Sequence, residues 1–178
     1  MLNRLHRIAA GTALSLALLS SPPPASAQAT AVPTLDANRF MGTWYEIERY
    51  PVKPENHCLS DAAVLYALGD KKDSFLVVTS CTVKNGNSDS WNAKGKFSNT
   101  GDGKLKLRHL LIFYKKYWVL SLAPDYSWAL VGSPSHHTLW ILSRTTTLPA
   151  NTLAQIEATA TAQGFNISKL KPMPQHHD

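Results

Sequence analysis

The sequence predicts an all-β fold: eight antiparallel strands in up-and-down order, closed into a barrel, with one C-terminal α-helix packed outside. Three observations lead there. Short strand-like segments follow one another, with turn signals roughly every 8 to 15 residues. The early segments alternate apolar and polar residues, whereas the last three are apolar on both faces. A single helical segment follows the last strand and needs a surface to lie on.

Residues 1–27 read as a secretory signal peptide. Arg4, His6 and Arg7 form a basic head, residues 8–19 are apolar, and Ala25, Ser26 and Ala27 make a small-residue cleavage site. A membrane anchor needs roughly 18 apolar residues, and no segment has them. No cysteine lies near Ala27, so no lipid-attachment thiol is expected. The mature chain is therefore expected to be exported and soluble, periplasmic or secreted. Residues 28–34 read as a flexible lead-in, 35–170 as the barrel with its helix, and 171–178 as a tail. The formal net charge is +6, and about +4 without Arg4 and Arg7, a modest excess. With no basic stripe or run, a nucleic-acid partner is not expected.

GTWYEIERY (42–50) is the first strand. DAAVLYAL (61–68) and DSFLVVTSC (73–81) make a hairpin about Gly69, Asp70, Lys71 and Lys72. SDSWNAKGKFS (88–98) and KLKLRHL (104–110) flank a Gly-rich turn. KYWVLSLA (116–123) and SWALVGS (127–133) flank Pro124, Asp125 and Tyr126, and HTLWILSR (137–144) is the eighth. Such a meander makes a sandwich or a closed barrel. Leu105 and Leu107 face in while Lys104, Lys106 and Arg108 face water, and Trp91, Ala93, Gly95 and Phe97 face in likewise. The last three strands need an outer cover, and the helix is the candidate. Pro149 suits its first turn and Gly164 its C′ position, with Phe165 placed for the contact beyond. Leu153, Ile156, Glu157 and Ala160 give it a narrow stripe, apolar except for Glu157. The helix then lies on the outer wall of strands six to eight, which favours the barrel.

Cys58 and Cys81 are the two cysteines, and thiols of exported chains tend to pair. If Leu68 pairs with Lys71 around a two-residue Gly-Asp turn, Cys58 falls opposite Cys81. Their Cα atoms would be about 4.5 to 5.5 Å apart, which suits a disulfide. A four-residue turn would put the pair on a diagonal of the same face. A disulfide is expected; the competing reading is a reactive Cys58 beside His57.

Three stretches resemble the lipocalin signatures, in order. NRFMGTWYEI (38–47) is similar to the first, a short turn leading into Gly-x-Trp-Tyr. PDYSWALV (124–131) resembles the second, an Asp-Tyr turn between strands six and seven. LWILSRT (139–145) resembles the third, whose arginine follows strand eight. The resemblance covers residues 35–170 and points to the bacterial outer-membrane lipocalins and the apolipoprotein-D-like group. It implies that Trp44 caps the closed end and that Arg144 packs across its ring, a contact of roughly 0.5 to 2 kcal/mol. It also implies that Gly42 lets the backbone turn tightly, and that Asp125 and Tyr126 form a closed-end turn. The chain departs from the pattern in lacking a lipoprotein cysteine, and in having Leu111 and Ile112 where relatives carry Gly-Pro.

An eight-stranded barrel has room for one small ligand. Val64, Tyr66, Phe75, Val77, Phe97, Leu105 and Leu107, with Ala62 and Thr79 beside them, read as a largely apolar lining suited to an acyl chain. The other reading is that they simply fill the core; the resemblance implies a cavity. Loops at the open end carry Lys53, His57, Lys84, Lys115, Lys116, His136 and His137, while the other end carries Asp70, Asp73, Asp102 and Asp125. A basic rim, with Lys115, Lys116 and His136 at the head group, favours an anionic amphiphile such as a fatty acid or lysophospholipid. Scattered, salt-screened lysines are the alternative. The expected partner is that amphiphile, with peripheral membrane contact and a monomer or weak homodimer left open. No cofactor is expected.

No Ser-His-Asp arrangement or phosphate-binding loop is legible, so a non-enzymatic carrier of the cell envelope is expected. One alternative is an isomerase of the lipocalin type, whose cavity cysteine a Cys58–Cys81 disulfide would exclude. The other is haem or metal binding through His57, His136 and His137, or through His176 and His177.

Overall fold

The computed structural model describes residues 27–53, 55–98, 101–108 and 113–176. The residues before Ala27, where a signal peptide is expected, together with Leu111, Ile112 and His177, lie outside the described residues. Eight strands run β1 (Gly42–Arg49), β2 (Ser60–Leu68), β3 (Ser74–Thr82), β4 (Ser88–Phe97), β5 (Lys104–Arg108), β6 (Lys115–Leu122), β7 (Trp128–Gly132) and β8 (Leu139–Ser143). Each pairs antiparallel with its chain neighbour, and β1 closes the ring by pairing with both β8 and β2. Helix α1 (Ala37–Phe40) leads into β1, and α2 (Ala150–Ala162) follows β8. This is the closed up-and-down barrel with one C-terminal helix outside that the strand pattern predicts.

The helix lies where the doubly apolar strands require. Ile156 and Ala160 are fully buried against Tyr50, Leu120, Leu130, Leu139 and Ile141. Its C-terminal end closes in a Schellman arrangement. Phe165 donates its N–H to the Ala160 carbonyl, and Gly164, at φ +85°, donates to Thr161. The interior forms a second cluster, dense in its lower half with Phe40, Trp44, Tyr66, Phe75 and Leu105.

The β2–β3 hairpin has a different register from the one a Gly-Asp turn predicts. Leu68 pairs with Phe75, and the turn residues 70–73 are closed by a Gly69 N–H to Ser74 carbonyl bond. The shift is even, so the inward set is unchanged. A bulge between Ser60 and Ala63, where Asp61 takes φ +54°, redirects the chain above it. Cys58 meets Cys81 beyond that bulge in a disulfide with a Cα–Cα distance of 5.6 Å.

Both terminal segments are held more tightly than a flexible lead-in and a tail. Ala29 is buried, the Thr30 N–H donates to Gln163 Oε1, and Val32 exchanges backbone bonds with Val119 and Gly103. At the other end, β9 (Lys171–Pro172) pairs with the upper half of β1. Gln175 Nε2 then donates to the carbonyls of Glu46 and Ala62, bridging β1 and β2 above the point where their own ladder ends.

Candidate functional site

The two ends of the barrel are built differently. At the closed end, Asp36 caps α1 by accepting from the N–H groups of Asn38 and Arg39. Gly42, at φ +93°, turns the chain from that helix into β1, and a Cβ there would sit 3.3 Å from Arg144 Nη1. The fully buried Trp44 donates Nε1–H to the Phe40 carbonyl at 2.8 Å. The Arg144 guanidinium lies 3.7 Å from the Trp44 ring centroid and donates to the carbonyls of Thr43, Arg39 and Met41. Tyr126, at φ +64°, completes the end: its hydroxyl accepts from the Asp36 N–H, and Arg39 stacks on its ring at 4.1 Å. The Asp125 carboxylate accepts from Ser127 within the same turn.

Above this base lie two chambers that share part of their lining. The inner one, about 40 Å³, is lined by Glu46, Val64, Tyr66, Val77, Thr79 and Leu142. Glu55, Leu107, Tyr117 and Trp140 are shared with an outer one of about 100 Å³, which Lys53, Lys115 and Lys116 rim. Of the seven residues expected to line a ligand cavity, Val64, Tyr66, Val77 and Leu107 border these chambers. Phe75, Phe97 and Leu105 are packed against one another's neighbours in the aromatic base instead. Inward alternation is blind to height along the axis, and rings this large fill the narrow end.

The chambers also hold charge that a reading as a largely apolar lining leaves out. Glu46 is 2% exposed, Arg49 5% and Glu55 7%. Arg49 Nε lies 3.2 Å from Glu46 Oε2 and 3.7 Å from Glu55 Oε2, and Nη2 donates to the Glu55 carbonyl. Trp140 Nε1 donates to Glu55 Oε2 at 3.0 Å. Beside them the Tyr66 and Tyr117 hydroxyls are 2.6 Å apart. Burial, then the neighbouring Glu55 charge, raise the Glu46 carboxyl well above the ordinary range, with Arg49 opposing. Burial raises Glu55 too, against the Trp140 hydrogen bond and Arg49. Glu46 had a signal in the sequence, since it stands two positions after the inward Trp44. Arg49 had none. It points inward only because β1 bulges between Glu46 and Glu48 and so changes face. Glu55 arrives from the 3₁₀ turn Glu55–His57.

The rim is also less uniformly basic than expected. Lys115 and Lys116 border the outer chamber with Lys53, but His136 does not reach it. Its Nε2 is 2.8 Å from the Gln163 carbonyl and its ring meets Phe165 edge-on, so it pins the end of α2. His57 pairs with Asp89 at 2.8 Å. Among the described residues one group of three metal-ligating types converges, His57, Cys58 and Cys81, and both its sulfurs are joined in the disulfide. That bond also leaves the chain no thiol for isomerase chemistry.

Comparison with known proteins agrees with this architecture. The model of the lipocalin-like domain matches residues 35–175. The chain is 36% identical over 167 residues to the outer membrane lipoprotein Blc of Citrobacter freundii, covering 92% of each. It is 30% identical over 151 residues to apolipoprotein D of Rattus norvegicus, covering 79% of this chain and 77% of that protein. Among solved structures, insecticyanin of the tobacco hornworm Manduca sexta superposes with a TM-score of 0.63 at 23% identity, over 85% of this chain and 87% of that one. The chain belongs to the lipocalin-like family, which generally binds small hydrophobic ligands.

Proposed function

We propose that the protein binds and carries or stores a small amphiphile with an anionic head, a fatty acid or lysophospholipid, in the cell envelope. The observation that carries this reading is the outer chamber, which the apolar side chains of Val52, Leu107 and Trp140 line together with Lys53, Lys115 and Lys116. Apolar burial supplies the affinity of the chain, and the ammonium groups hold the head at the water boundary. The envelope location draws on the signal-peptide pattern and on Blc, which is named an outer membrane lipoprotein. Because both cysteines are in the disulfide, attachment through a lipidated cysteine is not part of this reading.

Displacement of a fluorescent fatty acid, with lipid extraction of protein purified from its own host, tests it. Wild type should release the probe to competing fatty acid, and the Lys115→Glu/Lys116→Glu variant should bind about tenfold more weakly. Equal binding by the variant would remove the head-group role. Absence of binding by wild type, with no co-purifying amphiphile, would remove the carrier reading.

A further inference from the structure

The inner chamber has a composition that a plain hydrocarbon end does not suit. Glu46 Oε2 is buried and accepts no hydrogen bond, although Arg49 Nε is 3.2 Å away, because that nitrogen is not aimed along its N–H. In the same chamber, one of the paired Tyr66 and Tyr117 hydroxyls donates to the other, so the second proton remains available. An acceptor and a donor thus line a space of about 40 Å³, on the order of one water molecule or one small polar group. A methyl group placed there would leave Glu46 unsatisfied. A carboxylate would meet two acids opposed by one guanidinium.

We propose that the inner chamber is a recognition site for a hydroxyl group on the buried end of the ligand, with Glu46 and the Tyr66–Tyr117 pair as its partners. A hydroxyl is a small group that can both donate and accept. It satisfies Glu46 whether that side chain is ionised or protonated, donating in the first case and accepting in the second. An ammonium group loses its counter-charge once the carboxyl is protonated. The ligand class is then a hydroxylated amphiphile, its charged end at the lysines and its hydroxyl inside. This rests on the carrier reading above.

The test compares octanoate, dodecanoate and hexadecanoate with their ω-hydroxy counterparts as competitors of the fluorescent fatty acid. In wild type, one ω-hydroxy acid of the series should bind about tenfold more tightly than its parent, the gain expected from one buried hydrogen bond. Glu46→Gln, which keeps the shape and an acceptor oxygen, should retain most of that preference. Glu46→Leu should abolish it, the hydroxylated and parent acids then binding alike. Should Glu46→Leu not fold, Tyr117→Phe, which removes one phenol of the pair, should reduce the preference in its place. Parent acids that bind as tightly as every hydroxylated partner would overturn the inference and leave the carrier reading standing, the chamber then holding water. Failure of all six acids to bind would overturn both.

Discussion

The base and the mouth of this barrel share eight strands and treat their polar groups in opposite ways. At the base, Arg144 reaches the carbonyls at the end of α1 and the start of β1 while lying flat on Trp44. At the mouth, Glu46 Oε2 and Arg49 Nε are buried without a hydrogen bond, and two acids share one guanidinium. Buried polar groups in folded proteins are nearly always satisfied, so exceptions concentrate where a structure has work to do besides holding together. The closed end is a platform, and the Glu46–Arg49–Glu55 cluster puts the cost of buried charge beside the chambers.

Substitutions can break that division, and the largest effect belongs at the base. Trp44→Ala removes a fully buried indole and should cost about 4 kcal/mol in urea unfolding. Fatty-acid affinity measured well below the unfolding transition should change little. At the mouth, replacing Cys58 and Cys81 together by serine opens a loop of sequence separation 23 and should cost about 3 kcal/mol in the same assay. Glu46→Gln is expected to be the mildest, within about 1 kcal/mol near neutral pH, because it relieves a buried charge as it weakens a contact to Arg49.

Its signature is the pH dependence. Burial and Glu55 make the folded protein hold the Glu46 proton more tightly than the unfolded chain does. The associated stability is full below the ordinary carboxyl range and is lost as pH rises through the raised folded value. Wild type should therefore weaken as pH climbs from that range, and Glu46→Gln should flatten the slope. Some slope should survive in the variant, since Glu55 is raised in the same direction. A variant as steep as wild type would assign the dependence elsewhere.

The base was legible in the sequence because each of its parts is a residue type with a single structural use. Gly42 stands at a positive φ, Trp44 follows it on the inward face, and Arg144 comes straight after the last strand. The helix was legible for a similar reason, since three doubly apolar strands demand a cover. The mouth was not. A one-residue bulge in β1 turns Arg49 inward, and a loop delivers Glu55 from outside the strand pattern. Phe75 and Phe97 share the inward parity of Val77 yet sit too low to line the chambers. His136 reads as a rim residue from its loop, but the packing of α2 claims it. Parity gives the face of a side chain, while height, bulges and loop reach come from tertiary structure.

The bridge made by Gln175 has a consequence in time. It joins the carbonyls of Glu46 and Ala62 from 129 and 113 positions further along the chain, and Met173 bonds to Ile47 beside it. Pairings between such distant residues are slow to form. The strand that carries the chamber's acid is among the earliest parts of the fold to be synthesised, yet its upper half is paired on one side only, with β8, until residues 171–175 take the other. The vessel is sealed by the stretch that arrives after its walls, so any agent that peels this stretch away would open the seam at the level of Glu46 and leave Trp44 and its arginine untouched.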